Sequence, residues 1–216
     1  MKIDVWSDFA CPWCALGLYR LHAALSRFEH GDAVEVLHRS FELDPRAPAQ
    51  RGQTMEQVVA AKYALDAAQV EAGHQRLVAL GREVGLVFAF GRVRLGNTFD
   101  AHRLARAARG TAQEPELIRL LFVAYFTEGR LLSDHDVLLD VAGAAGLDAD
   151  FAAAVLATGS FADDVRADEL EAREREIFGV PHFLVNGAWA IPGAQDVDTM
   201  VMILRRAWAR TEATAT

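Results

Sequence analysis

Two cysteines lie between a segment that favours a β-strand and one that favours a helix. They are Cys11 and Cys14, spaced Cys-Pro-Trp-Cys, and residues 3–6 just before them are rich in strand-forming side chains. After the pair, apolar residues recur at helical spacing: Leu16, Leu18, Leu21, Leu25 and Phe28. Pro12 suits the first position of a helix, because its missing N–H would be unpaired there anyway. The sequence therefore predicts strand, turn and helix, with Cys11 as the N-cap.

A long helical region separates the parts of the chain that favour strands. A second strand is predicted over residues 33–41, where alternate residues, His38 among them, share a face. Residues 54–178 carry helix signals instead, beginning with a capping box from Thr54 to Gln57. Helix stops are predicted at three glycines: Gly85, Gly110 and Gly146.

Strand character returns near the C-terminus. Residues 182–185 and 188–191 favour strands, and Asn186-Gly187 between them is a strong signal for a tight hairpin turn. A closing amphipathic helix follows, with apolar positions from Val197 to Trp208. Residues 211–216 are expected to fray.

This order of elements predicts an α/β fold with a large helical insertion. The helical region is too long to be a connection inside a compact sheet domain. We therefore expect a discontinuous domain built from residues 1–44 and 179–216, and an all-helical domain over residues 45–178 inserted into it. The two ends of the insertion must then lie close together in space.

The last helix of the insertion carries paired charges. Glu169 and Arg173 are spaced i,i+4 in the favourable orientation, and so are Glu171 and Arg175. Pairs of this kind usually lie on a helix surface, so we expect all four side chains on a solvated face.

The position of the cysteines indicates redox chemistry. A thiol attacks disulfides as its thiolate, which a helix N-terminus stabilises through unpaired N–H groups and the positive end of the helix dipole. We therefore expect Cys11 to be the nucleophile and Cys14, one turn further on the same face, to resolve the mixed disulfide. A metal half-site and two small core residues are the alternatives. Zinc requires four ligands, and the chain has no second cysteine pair, so no metal is expected.

Composition argues against several classes of function. The chain carries 22 Lys+Arg against 30 Asp+Glu, and its net charge of −8 repels phosphate backbones, so nucleic acid is not an expected partner. The most apolar run, residues 120–126, is shorter than the roughly 20 residues of a membrane-spanning helix. The first residues lack the pattern of a signal peptide, so we expect a cytoplasmic protein. In that reducing compartment paired cysteines are more often catalytic than structural.

Four blocks of sequence together resemble the DsbA-like thioredoxin-fold family, FrnE-like branch: residues 7–14, 97–104, 179–187 and 191–195. The blocks span nearly the whole chain. The resemblance implies a thioredoxin fold interrupted by the helical domain, and thiol-disulfide oxidoreductase activity through the cysteine pair. It implies no metal or organic cofactor, with glutathione or a thioredoxin-type protein resetting the pair. Protein or small-molecule thiols and disulfides are the expected substrates, and monomer and homodimer both fit.

The resemblance also implies a substrate-binding loop. Val180 and Pro181 correspond to the family's cis-proline loop, which faces the cysteines, and the backbone of Val180 would pair with an extended substrate. An X-Pro bond is the kind that adopts the cis form at low cost. We expect substrate to contact Pro12 and Trp13 as well, and the alternative for Trp13 is an exposed ring without a role.

Two departures from the family pattern weaken part of this expectation. Branch members often carry an aromatic residue directly after the second cysteine and a basic residue three positions further on, where this chain has Ala15 and Leu18. The chain also lacks the second cysteine pair that supports isomerase cycling in some relatives. Disulfide isomerase activity is therefore a weaker expectation than simple exchange.

Other polar residues have two interpretations each. Asp4 or Asp8 accepts the proton of Cys14, or is an acid solvated at a strand end, and we favour the solvated acid. His182 carries protons near the sulfurs or faces away from them. Four further residues either line a cleft between the two domains or form a helix cap and a helix exterior: Asn97, Thr98, His102 and Arg103.

Two functions from other classes stay open. The first is a glutathione-dependent isomerase or transferase of the kappa-like group, whose members typically hold serine at the position of Cys11. That group also holds glutathione with a Ser-Asp pair, where this chain has Gln195-Asp196. The second is a non-enzymatic chaperone or partner-binding module that uses an apolar surface around the cleft.

Overall fold

The computed structural model describes residues 1–214 and contains, within that range, one four-stranded mixed sheet. The strands are β1 (Lys2–Ser7), β2 (Glu35–Ser40), β3 (His182–Val185) and β4 (Trp189–Pro192). Their order in the sheet is β2-β1-β3-β4. The central strand β1 pairs in parallel with β2 and antiparallel with β3, and β3 and β4 form an antiparallel hairpin.

Helices cover both faces of the sheet. Helix α1 (Pro12–Arg27) follows β1 directly, with Pro12 in its first turn as predicted. The long predicted helical region, residues 54–178, contains no strand and folds into seven α-helices, which are described throughout. They are α2 (Met55–Tyr63), α3 (Ala67–Glu83), α4 (Phe99–Ala107), α5 (Glu114–Val123), α6 (His135–Ala144), α7 (Ala149–Ala157) and α8 (Ala162–Glu174). Helix α5 continues into a π-helical turn, Ala124–Glu128.

Local signals located most of these elements. The capping box of Thr54 and Gln57 is present at the start of α2, with both hydrogen bonds formed. The three glycines predicted to stop helices all have positive φ: Gly85, Gly110 and Gly146. The second strand is shorter than predicted, because Gly31–Ala33 forms a 3-10 turn that delays its start to Glu35.

The C-terminal segment follows the prediction with one correction. Asn186 and Gly187 both have positive φ, and the Ala188 N–H closes the hairpin turn on the Val185 carbonyl at 3.1 Å. The last helix, α9 (Val197–Thr214), extends through positions expected to fray. It persists there because the Thr211 hydroxyl donates to the Ala207 carbonyl and accepts from the side-chain amide of Asn186. Residues 215 and 216 of the predicted frayed tail lie outside the described residues.

Three apolar clusters hold the layers together. One fills the space between the sheet and helices α1 and α9 and contains Ile3, Leu21, Phe183, Ile191 and Met200. A second, around Trp6, Ala172, Ile177 and Leu184, lies between the opposite sheet face and α8. The third joins the first turns of α1, including both cysteines, to the helices between β2 and β3.

The two ends of the helical insertion lie close together, as the sequence predicts. The Glu42 N–H, just after β2, donates to Glu169 Oε1 on α8 at 3.3 Å. The proposed boundaries at residues 44 and 179 stay a prediction. The apolar cluster that contains Cys11 and Cys14 also contains Leu104, Leu121 and Phe122 of the insertion, so the two parts share a core.

Candidate active site

Cys11 is the N-cap of α1, as predicted. Its backbone is extended (φ −97°, ψ 113°), and its Sγ accepts a hydrogen bond from the Cys14 N–H at 3.4 Å. The Cys11 N–H donates to the Asp8 carbonyl at 3.1 Å, which closes the turn between β1 and α1. The unpaired N–H groups of a first helical turn favour a negative charge, so this position suits a thiolate.

Cys14 lies one turn further along α1 and is 1% exposed. Both cysteines are free thiols. Burial raises the pKa of the Cys14 thiol well above its ordinary value, and its hydrogen bond with Cys11 raises it further. The charge of Asp8 acts in the same direction. Cys14 is therefore a protonated, solvent-shielded thiol behind Cys11.

The loop before β3 touches the nucleophile. The Val180–Pro181 peptide bond is cis, as the resemblance implied, and Cys11 Sγ donates to the Val180 carbonyl at 3.7 Å. Helix α1 approaches this loop closely at Gly17, where a Cβ would lie 3.0 Å from the Pro181 ring. The Trp13 side chain is 39% exposed at the rim of this arrangement. The structure thus brings Cys11, Cys14, Val180 and Pro181 together.

Asp8 is buried beneath the turn that carries the cysteines. The expectation that Asp8 is a solvated acid at a strand end is therefore wrong. Its carboxylate accepts from the Ala10 N–H (3.1 Å), the Leu43 N–H (2.7 Å), the Thr98 hydroxyl (2.9 Å) and His102 Nε2 (3.4 Å). Burial would raise the pKa of Asp8, but the hydrogen bond and charge of His102 and the two backbone N–H groups hold that pKa below its ordinary value. Asp8 is an anion at neutral pH.

The expectation of a solvated acid is also wrong for Asp4, which is 6% exposed. Its carboxylate accepts from Arg39 Nε at 2.8 Å, and Lys2 lies 3.5 Å away. Asp4 and Arg39 lie on the sheet face that contacts α8. Asp4 therefore has a charge partner of its own, on the face opposite α1.

Asn97, Thr98, His102 and Arg103, which were expected either to line a cleft or to form a helix cap and a helix exterior, have three different surroundings. Thr98 and His102 point at Asp8 and are 4% and 0% exposed, so a helix exterior is wrong for them. Arg103 is buried too, and donates from Nε to the Ser160 carbonyl at 2.9 Å, which ties α4 to the start of α8. Asn97 accepts from the Phe99 N–H at 2.8 Å and so caps the first turn of α4.

Two buried residues near the cysteines escaped the sequence analysis as site residues. His38 hydrogen-bonds the Ser7 hydroxyl through Nε2, and Phe9 stacks on its ring at 5.4 Å. The alternation that placed His38 on one face of its strand was the available signal for its burial. Tyr125 lies in the π-helical turn with its hydroxyl buried and, in the described part of the chain, unpaired. No periodicity marks that hydroxyl, because π-helical turns carry no distinct sequence pattern.

His182 lies on the face of the sheet opposite α1. Its ring packs edge-on against Trp6, with ring centroids 6.1 Å apart. The neighbouring Phe183 points the other way, into the apolar cluster of α1 and α9. Burial lowers the pKa of His182, so the ring is neutral at neutral pH. Proton transfer to the sulfurs by His182 stays a prediction that this placement does not favour.

Glu169 is not on a solvated face, so that part of the charge prediction is wrong. It is 5% exposed, and its carboxylate accepts from Arg166 Nη1 at 2.7 Å rather than pairing with Arg173. The second predicted pair is confirmed, since Arg175 Nε donates to Glu171 at 2.9 Å. The backbone N–H of Glu42, after β2, donates to the Glu169 carboxylate. Periodicity within one helix carries no information on a contact with such a distant segment.

A cavity of about 300 Å³ lies between the segment after β2 and the C-terminal half of α8. Its lining is mainly apolar with two acids and one base: Phe41, Glu42, Pro45, Glu169, Arg173, Ile177 and Phe178. Phe178, one of the lining residues, lies two positions before Val180 in the chain. The cavity is therefore lined in part by residues close in sequence to the loop that contacts Cys11.

A cysteine pair at a helix N-terminus, beside a cis-proline loop and on this sheet, is typical of the thioredoxin-fold class of thiol oxidoreductases. The chain belongs to the DSBA-like thioredoxin domain family, whose model matches residues 2–205. It is similar to a probable DsbA oxidoreductase, SCO1869 of Streptomyces coelicolor. The two are 38% identical with a TM-score of 0.91, over 97% of this chain and 90% of that one.

Two further structures share the fold at lower identity. A 2-hydroxychromene-2-carboxylate isomerase aligns with a TM-score of 0.74 and 16% identity over the full length of both chains. The cytosolic disulfide reductase DsbM of Pseudomonas aeruginosa aligns with a TM-score of 0.66 and 16% identity, over 97% of this chain and 99% of that one. At this identity the likeness establishes the fold alone. Among the described residues, no helix is long and apolar enough to cross a membrane.

Proposed function

We propose that this protein is a dithiol-disulfide oxidoreductase in which Cys11 attacks and Cys14 resolves. The observation that carries the proposal is the position of Cys11. It caps α1, lies 3.7 Å from the Val180 carbonyl, and has the buried Cys14 one turn behind it. An incoming disulfide therefore meets Cys11 first, and Cys14 reaches the resulting mixed disulfide from within the protein.

The reaction balances in two steps. The Cys11 thiolate attacks one sulfur of a substrate disulfide, forms a mixed disulfide and releases the other half as a thiolate, which takes up a proton. Cys14 then loses its proton and attacks Cys11 Sγ, which forms the internal disulfide and releases the second substrate thiol. The dithiol loses two electrons and the substrate disulfide gains them. Run in reverse, the same steps deliver a disulfide to a dithiol.

The surroundings of Cys11 suit an extended thiol or disulfide substrate. We propose contacts with Pro12, with the exposed Trp13 ring and with the backbone of Val180, beside Pro181. A glutathione molecule or a thioredoxin-type protein would restore the pair. Support for glutathione comes from DsbM, which has also been determined with glutathione and is described as cytosolic. A cytoplasmic location and membership of the FrnE-like branch belong to the same proposal.

The test is equilibration of the protein in glutathione redox buffers, followed by tryptophan fluorescence, to which Trp13 between the cysteines contributes, and by mass-shift alkylation of free thiols. We expect a two-electron transition in which both thiols disappear together. Cys14→Ser should trap a mixed disulfide on Cys11, and Cys11→Ser should abolish exchange. Retention of full function by the double serine variant would instead support a partner-binding module.

A glutathione-dependent isomerase is the second candidate. The fold shared with 2-hydroxychromene-2-carboxylate isomerase favours it. In that case the protein would bind glutathione and form only a monothiol adduct on Cys11, with no internal disulfide at any buffer ratio. Cys14→Ser would then leave the activity unchanged, whereas the oxidoreductase requires Cys14.

A further inference from the structure

The helical insertion contributes two side chains to the surroundings of the cysteine pair. The Thr98 hydroxyl donates to Asp8 Oδ1 at 2.9 Å, and His102 Nε2 lies 3.4 Å from the same oxygen. Both belong to the start of α4, about 90 residues along the chain from Asp8. Asp8 itself is three residues before Cys11, in the turn that presents the nucleophile.

Asp8 is a buried carboxylate without a contacting lysine or arginine among its four hydrogen-bond partners. Those partners are two backbone N–H groups, one hydroxyl and one imidazole. A carboxylate removed from water this far would normally take up a proton. The four donors oppose that uptake, since hydrogen bonds to the charged form favour it.

Asp8 and Cys14 belong to one turn, since the Cys11 N–H donates to the Asp8 carbonyl at 3.1 Å and the Cys11 carbonyl accepts from the Cys14 N–H at 3.0 Å. Burial is the main cause of the raised pKa of Cys14; the charge of Asp8 raises that pKa further, and the Asp8 backbone opposes it. Both side chains are almost fully buried, at 2% and 1% exposure, so water screens their interaction poorly. A negative charge beside a thiol disfavours its thiolate. The thiolate is the form in which Cys14 must attack the mixed disulfide. The ionisation of Asp8 therefore bears on the second step of the exchange.

We propose that Thr98 and His102 are positioning residues that hold Asp8 as a fixed buried anion, and that the helical insertion thereby raises the pH at which Cys14 resolves the mixed disulfide. This rests on the proposed function. The anion keeps Cys14 a thiol while substrate is bound to Cys11. Resolution then accelerates as the pH rises toward the pKa of Cys14.

Two other titratable groups around this cluster, His38 and Tyr125, keep one state near neutral pH. His38 of β2 has its pKa lowered to about 3 by burial, so it stays neutral. Tyr125 has its pKa raised by burial and by the charge of Asp8, so it stays protonated. Glu42, after β2, faces the His102 side and has its pKa raised by burial. A pH-dependent change that Asp8→Asn shifts is therefore assigned to Cys14 and to the charge of Asp8 beside it.

The experiment uses the reduced full chain and an aromatic disulfide, dithiobis(nitrobenzoic acid), whose released thiolate absorbs visible light. Attack by Cys11 releases one aromatic thiolate and leaves the other as a mixed disulfide. Attack by Cys14 forms the internal disulfide and releases the second. The pH dependence of that second release measures the ionisation of Cys14. Asp8→Asn removes the anion, and we expect the profile to move to lower pH. If the profile moves by about one pH unit, the second release at a fixed pH below the pKa of Cys14 should be about tenfold faster in Asp8→Asn than in the wild-type protein.

Two matched pairs of variants test the positioning residues. Thr98→Val removes the hydroxyl at nearly constant shape, whereas Thr98→Ser keeps a donor. His102→Phe keeps a ring against Phe9, whereas His102→Gln keeps an N–H donor. We expect Thr98→Val and His102→Phe to shift the profile in the direction of Asp8→Asn, and Thr98→Ser and His102→Gln to stay near wild type. The first release, at Cys11, should be retained, and a far-ultraviolet circular dichroism spectrum like that of the wild type shows that the fold is intact.

The outcomes distinguish the buried anion from the residues that position it. An unshifted profile in both Thr98→Val and His102→Phe, alongside a shift in Asp8→Asn, overturns the positioning role. An unshifted profile in Asp8→Asn overturns the fixed anion itself. Absence of any second release from the wild-type protein means that the proposed function has failed. Should His102→Phe not fold, the Thr98 pair alone decides.

Discussion

His38 is a histidine that the fold keeps neutral. Its ring is 5% exposed, stacks on Phe9 and hydrogen-bonds the Ser7 hydroxyl. Burial lowers its pKa to about 3, and the charges of His102 and Arg109 act in the same direction. An unfolded chain has no such surroundings, and there a histidine titrates near pH 6.5. Between these two values the unfolded state binds one proton more than the native state.

This difference predicts a loss of stability on acidification. As the pH falls below about 6.5, the unfolded state gains a proton at His38 and the native state does not, so the free energy of unfolding decreases. The contribution of His38 is up to about 1.4 kcal/mol per pH unit. His38→Gln removes it and keeps a donor for Ser7. Urea unfolding at about pH 7, 6 and 5 should show a shallower pH dependence for the variant. An equal decrease in the free energy of unfolding with falling pH in the wild-type protein and in His38→Gln would contradict this account.

At the scale of elements, α8 is fastened to the sheet through Asp168. Its carboxylate is 3% exposed and accepts from Arg39 Nη1 at 3.0 Å and from the Ser40 N–H at 3.1 Å. Arg109, beyond the end of α4, donates to the same carboxylate. The Trp6 indole N–H adds a bond to the Asp168 carbonyl at 3.1 Å. Asp168 thus joins α8 to β2 and to the α4 region through its side chain, and to β1 through its backbone carbonyl.

Asp168→Asn should destabilise the protein strongly. Removal of one partner from a buried ion pair leaves uncompensated charge, and we expect a loss of about 3 kcal/mol. The control is Glu171→Gln, on the same helix, whose carboxylate is 31% exposed and lies 3.5 Å from Arg39. Because exposed pairs contribute little, the control should lose less than about 1 kcal/mol. Urea unfolding at neutral pH measures both, and similar losses for the two variants would disprove a special role for Asp168.

Over the whole molecule, contacts between neighbours in the chain were predictable, whereas contacts between distant segments were predictable only where the order of elements or the family resemblance implied them. Cys11 as N-cap, the Thr54 capping box and the Asn186-Gly187 turn depend on residues within a few positions of each other, so sequence patterns report them. Asp8 and Glu169 were assigned to solvent, because the residues that bury them lie far away in the chain. Periodicity identifies the face on which a side chain lies, and it carries no information on what covers that face.

The shared apolar cluster bears on how the molecule unfolds. Leu16 and Leu18 of α1 belong to the same cluster as Leu121 and Phe122 of α5. Separation of the helical insertion from the sheet would therefore expose apolar surface on both sides, which is unfavourable. We infer that the two parts unfold together, although they are separate units in the sequence.

Tryptophan fluorescence and circular dichroism can test this, because the four tryptophans lie outside the insertion: Trp6, Trp13, Trp189 and Trp208. Fluorescence therefore follows the sheet part, while the far-ultraviolet dichroism follows mainly the helices of the insertion. We expect coincident urea transitions by the two probes. Leu121→Ala, in the insertion, should cost about 2–5 kcal/mol and move both transitions equally. A shift of the dichroism transition with fluorescence unchanged would mean that the sheet part folds independently, and the shared cluster would then contribute no cooperativity.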